Sequence, residues 1–114
     1  MNRITEKKYL TEEKIISLLE KNREILRKYK VKKIGLFGSY VKGKPKKKSD
    51  IDLLVEFEIA AFDSNYTGYF DNYEKLSFFL RKILGRRIDL LTIDMISPYI
   101  KPYISKEIEY LETS

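Results

Sequence analysis

Helical and extended patterns alternate along the 114-residue chain, which predicts an α/β fold: a small mixed β-sheet of three to four strands flanked by helices. Three observations carry this reading. Two long segments repeat apolar residues at helical spacing. Three short runs are apolar, β-branched or alternating, as strands are. The connection between the second and third runs is long enough for a helical crossover, whereas the first run can turn back antiparallel onto the second. A chain of this length is expected to form one domain over residues 1–114.

From Thr11, a suitable N-cap followed by Glu12 and Glu13, the residues Ile15, Leu18, Leu19, Leu26 and Tyr29 predict an amphipathic helix near 11–30. Val31 to Phe37 (VKKIGLF) is short, apolar and stops at Gly38-Ser39, as a strand ending in a tight turn does. Residues 42–48, KGKPKKK, place five lysines, a glycine and a proline in seven positions and must form an exposed loop. Asp50 to Glu58 alternates closely: Ile51, Leu53, Val55 and Phe57 share one face, and Asp50, Asp52, Leu54, Glu56 and Glu58 the other. Phe70, Tyr73, Leu76, Leu80, Ile83 and Leu84 mark a second helix closed by Gly85, and Arg87 to Ile93 reads as a third strand. Ser97-Pro98 opens a last helical segment, with 103–111 its firmest part.

Composition removes whole classes of chemistry. With no Cys and no His, disulfides, thiolate nucleophiles, zinc fingers and Ser-His-Asp triads are excluded, so catalysis must run on carboxylates, hydroxyls, lysines, arginines or a hard metal. No uncharged stretch exceeds eight residues, far short of the ~20 that a spanning helix needs, and the N-terminus lacks a signal-like apolar core. A cytoplasmic protein is expected. The net charge is +6, but residues 1–49 carry 16 basic and 5 acidic side chains while the remainder is acidic. Such a basic half is usually a solvated face and can also hold phosphates.

The informative segment is Gly38-Ser39, ten residues, then Asp50-Ile51-Asp52. Residues two apart on a strand point the same way with Cα atoms roughly 6.6 Å apart, so Asp50 and Asp52 can reach common ions. Carboxylates held so close repel each other unless a cation lies between them, and oxygen ligands without Cys or His select Mg²⁺ or Mn²⁺. The Gly38-Ser39 turn can present amides and a hydroxyl to phosphate oxygens, and Lys42 with Lys44, Lys46, Lys47 and Lys48 can steer or neutralise them. A third carboxylate would complete a two-metal site. Asp89, set in the apolar third strand, is the candidate, with Asp94 in reserve.

This segment, GSYVKGKPKKKSDID at 38–52, together with RRIDLL at 86–91, resembles the minimal nucleotidyltransferase family of the DNA polymerase β superfamily, whose signature is Gly-Ser, ten residues, Asp-x-Asp. The likeness covers the whole chain in element order. One departure is Lys42, where many relatives carry Arg; Lys offers phosphate a point charge rather than a bidentate grip. The resemblance implies a nucleotidyltransferase fold and an Mg²⁺-dependent enzyme that uses ATP, with two ions held by Asp50, Asp52 and Asp89 and the nucleotide by Gly38, Ser39 and Lys42. In that reading Asp50 and Asp52 are the catalytic pair, and Asp89 accepts the hydroxyl proton. Relatives of this size are antitoxins that transfer AMP to a tyrosine of a HEPN-type ribonuclease toxin. The expected partner is therefore such a toxin, bound as a hetero-oligomer, rather than a membrane or a nucleic acid.

The competing reading is a catalytically idle antitoxin or RNA-binding module that neutralises its partner by binding alone, using the basic half and some of the nine tyrosines. Each residue also has a plainer interpretation. Asp50 and Asp52 could decorate a solvated strand face. Asp89 could pair with Arg86 or Arg87. The lysine run could be only a solubilising loop, and the tyrosines (Tyr66, Tyr69, Tyr73, Tyr99, Tyr103, Tyr110) could form the edge of the core. Ser39 has no accompanying base and is not read as a nucleophile.

Overall fold

The fold is seen in a computed structural model that describes residues 10–38 and 50–113. Helices α1 (Glu12–Lys21) and α2 (Arg23–Lys28) lead into β1 (Val31–Phe37), and β2 (Ile51–Phe57) is followed by α3 (Tyr69–Leu84). Then come β3 (Ile88–Thr92), a short 3₁₀ turn at Ile93–Met95, α4 (Lys101–Glu107) and β4 (Glu109–Glu112). The four strands form one mixed sheet in the order β3-β2-β1-β4, with β1 antiparallel to both β2 and β4 and β2 parallel to β3.

Period-two alternation in the strands and period-3.6 spacing in the helices meet in one core. Ile34 and Leu36, Ile51, Leu53 and Val55, and Ile88 and Leu90 turn one sheet face inward, where Ile15 and Leu19 of α1, Leu26 of α2 and Leu76, Leu80 and Leu84 of α3 cover it. Thr11 caps α1 through its hydroxyl, which accepts from the Lys14 amide at 3.2 Å, and Gly85 closes α3 at φ +66°. Tyr69 and Phe62 extend the core at one end, with ring centroids 5.3 and 6.4 Å from that of Phe57.

Two expectations change. The helix near 11–30 is broken at Asn22, whose side-chain amide donates to the Leu18 carbonyl at 2.8 Å; this side-chain bond competes with the helical ladder. The segment 103–111 is not one helix. The α4 helix ends at Glu107, Ile108 turns extended at φ −73°, ψ 134°, and Glu109–Glu112 joins the sheet beside β1. Pairing against β1 outweighs the helical spacing of Ile104, Ile108 and Leu111, because it buries Leu111 and satisfies the edge of β1. Thr113 locks this strand: its hydroxyl donates to the Val31 carbonyl at 2.6 Å, and its own carbonyl accepts from Arg27 Nε. The tyrosines divide too, with Tyr69 and Tyr73 packed against the core but Tyr99 and Tyr103 exposed. Among the described residues no helix is long and apolar enough to cross a membrane.

Because Leu80 is fully buried between α3 and the sheet, Leu80→Ala is expected to lower unfolding stability by about 2–5 kcal/mol, measurable by urea denaturation.

Candidate active site

The strand faces opposite the core converge on a cluster of acids at one end of the sheet. Since Ile51 and Leu53 point into the core, Asp52 between them points out; the same logic turns Asp89 outward between Ile88 and Leu90. The parallel ladder pairs Asp52 directly with Asp89, so the two side chains stand next to each other on adjoining strands. Asp50 lies just before β2, where the following amide, that of Ile51, donates to the Arg87 carbonyl at 3.0 Å.

From the other side, β1 ends against the same carboxylate. Phe37 pairs with Asp52, and Gly38 follows with φ +79°, a left-handed conformation that favours glycine. A Cβ at Gly38 would fall 2.2 Å from Asp52 Oδ2 and 3.1 Å from its Cγ. A side chain at this position would have to push the Asp52 carboxylate aside.

Electrostatics single out Asp52. Partial burial raises its carboxyl pKa above the ordinary value, to about 6; the charge of Asp89, a hydrogen bond with Asp89 and the charge of Asp50 add to the effect in that order. The strongest repulsion therefore acts across strands, not along one strand between Asp50 and Asp52 as the Asp-x-Asp spacing suggests. Burial is likewise reversed from expectation: Asp89 is exposed, and Asp52 carries the desolvation. Among the described residues no three acids stand close enough, as placed, to enclose an ion, so Asp52 and Asp89 form the close pair with Asp50 at its margin. Two adjacent carboxylates, one of them partly buried, are the donor set a hard divalent cation suits.

Gly38, Asp50, Asp52 and Asp89 are thus brought to one end of the sheet. Asp94 is not: it lies in the 3₁₀ turn past the C-terminal end of β3, in a cleft with Tyr69, Phe57 and Thr92. Ser39 and Lys42 lie outside the described residues, as does the lysine run that includes Lys44, Lys46, Lys47 and Lys48. Sequence reasoning missed Tyr73. Its hydroxyl donates to the carbonyl of Leu90, next to Asp89, and its pKa is raised by burial and by the charge of Asp89. Its helical spacing marked it only as a core residue.

Two outcomes follow from this geometry. Gly38→Ala should cost about 1–3 kcal/mol through backbone strain alone and displace the Asp52 carboxylate, read as a lower melting temperature. For Asp52, the raised pKa means that its protonated form favours the fold: that stabilisation is complete below about pH 4 and is lost as pH rises through about 6. In EDTA, Asp52→Asn should therefore stabilise the protein at pH 8 by about 1–2 kcal/mol after allowance for solvent screening, and should have almost no effect at pH 3.5. Thermal melts at the two pH values check this, and equal effects at both would refute the coupling.

Known proteins similar to this chain identify its family. The model of the nucleotidyltransferase domain matches residues 18–111. A Methanocaldococcus jannaschii protein provisionally named a protein adenylyltransferase is 43% identical over 99 residues, covering 85% of this chain and 94% of its own. Protein adenylyltransferase MntA of Thermococcus cleftensis is 34% identical over 103 residues, covering 90% and 97%. Among solved structures, one described as a minimal nucleotidyltransferase superposes with a TM-score of 0.65 at 22% identity, over 89% of this chain and 96% of the other, a likeness of fold. A toxin-antitoxin structure with AMP-PNP gives 0.52 at 28% identity, over 89% and 72%. The match of the nucleotidyltransferase-domain model over residues 18–111, most of the length of this chain with its mixed four-stranded sheet, makes the chain a member of the nucleotidyltransferase family.

Proposed function

We propose that the chain is an Mg²⁺-dependent protein adenylyltransferase that moves AMP from ATP to a tyrosine hydroxyl of a HEPN-type ribonuclease toxin and so acts as the antitoxin of a two-gene pair. The observation that supports it most directly is the Asp52–Asp89 juxtaposition beneath the Gly38 turn. Relatives at 34–43% identity that carry the adenylyltransferase name, and a similar toxin-antitoxin chain described with AMP-PNP, point to the nucleotide and to the kind of partner.

In this reading Asp50, Asp52 and Asp89 hold divalent ions, and a bound ion supplies positive charge that offsets the carboxylates and the triphosphate. Gly38 leaves room for phosphate to approach the backbone, and Ser39 and Lys42 contact it. The acceptor hydroxyl attacks the α-phosphorus, a new P–O bond forms, the bond to the β-phosphate oxygen breaks and pyrophosphate leaves. Asp89, exposed to the approaching acceptor, takes the hydroxyl proton, while half-buried Asp52 stays fixed beside it.

Incubation with α-labelled ATP, Mg²⁺ and the HEPN-type product of a neighbouring gene should label that product. Asp50→Asn/Asp52→Asn should reduce labelling by at least about 100-fold, as removal of a metal-binding pair does. Equal neutralisation of the toxin by wild type and by this double variant, without labelling, would establish the binding-only reading instead.

A further inference from the structure

On the outer side of α3 lie two adjoining cavities of about 580 and 470 Å³. They share Phe78 and Lys82, so Phe78 forms the ridge between them. The first is lined by Arg81, Arg86 and Arg87 in addition, and the second draws Lys75 from the preceding turn. Glu74 is the one acid lining either cavity, and Lys75 already pairs with Asp71 at 3.1 Å in an exposed bridge of little strength.

Helix physics explains only part of this. Cations in the last turn offset the helix dipole, which accounts for Arg81 and Lys82. It does not account for Phe78, which is 69% exposed on a helix whose core positions are already filled by Leu76, Leu80 and Leu84. Lys75, Phe78 and Lys82 recur at spacings of three and four and so lie on one helix face, the lysines ~10 Å apart along the axis with the ring between them. A bare aromatic ring between rows of cations has the composition of a single-strand binding platform, where bases stack on the ring and the backbone follows the charge. An acidic peptide would satisfy the cations and leave the ring unused.

We propose that this face of α3 binds single-stranded nucleic acid, with Phe78 as the stacking platform and Arg81, Lys82 and Arg87 as phosphate contacts. None of Asp50, Asp52 and Asp89 lines either cavity, although Arg87 adjoins them through the bond of its carbonyl with the Ile51 amide, and the binding does not require the transfer reaction.

The test is fluorescence anisotropy of the full chain with a labelled 12-nucleotide oligouridylate across a salt series. Binding should weaken linearly with log salt. Phe78→Ala should lower affinity by at least about 5-fold with the salt slope unchanged, because a base loses its platform while no charge is removed. Arg81→Ala/Lys82→Ala should reduce the slope by about 1.4, roughly 0.7 for each phosphate contact. Thermal melts verify that both variants remain folded, as these exposed positions should allow. Unchanged affinity of Phe78→Ala, equal binding of a duplex of the same charge, or displacement of the oligonucleotide by an equal charge of polyglutamate would overturn the proposal, the last by identifying an acidic protein segment as the occupant.

Discussion

Repulsion between Asp52 and Asp89 is the constraint around which this end of the molecule is arranged. Parallel pairing of β2 with β3 sets the two side chains next to each other, and the turn at Gly38 removes water from one of them. The backbone therefore holds an unfavourable charge arrangement that is relieved only by a proton or a cation. In the proposed function stability and activity oppose each other: the substitution that relaxes the isolated protein would remove a carboxylate proposed to hold the metal ion. The rest of the core keeps the two acids together. Leu53, Leu90 and Leu80 are buried under α3 on the opposite face of the sheet, and their packing free energy sustains the proximity of the acids.

Much of this was legible in the sequence because it follows from periodicity. The alternation from Ile51 to Phe57 set which residues face the core, and thereby which face carries Asp52. The limits of β1 and the Gly85 cap match the structure within a residue. What sequence could not supply was lateral register. Spacing along one strand pairs Asp50 with Asp52, whereas the stronger coupling is between Asp52 and Asp89, 37 positions apart and adjacent only through the β2–β3 ladder. Burial was misjudged for the same reason. Asp89 lies in an edge strand open to solvent, while Asp52 is flanked by β1 and the glycine turn.

The C-terminal segment shows the limit of local pattern. Ile104, Ile108 and Leu111 satisfy helical spacing, but the free edge of β1 draws Glu109–Glu112 into the sheet and buries Leu111 there. Thr113 and Arg27 complete that choice through two bonds between segments far apart in the chain, which no window of neighbouring residues reveals. Similarly, Tyr73 spans two roles: it packs in α3, and its hydroxyl occupies a carbonyl on the outer edge of β3, protecting that edge beside Asp89.

The crossover through α3 also orders events in time. Strands β1 and β2 are successive in the chain and lie in antiparallel contact, whereas β3 meets β2 across the whole of α3, a pairing of greater contact order and so slower to close. Until then the two acids are far apart and an ion has nothing to chelate. A cation held by these acids, as proposed, would recognise the completed molecule and not its precursors, so it would slow unravelling and leave the speed of assembly unaltered. Its occupancy would act as a kinetic latch, and the empty protein would be the form more open to a protease.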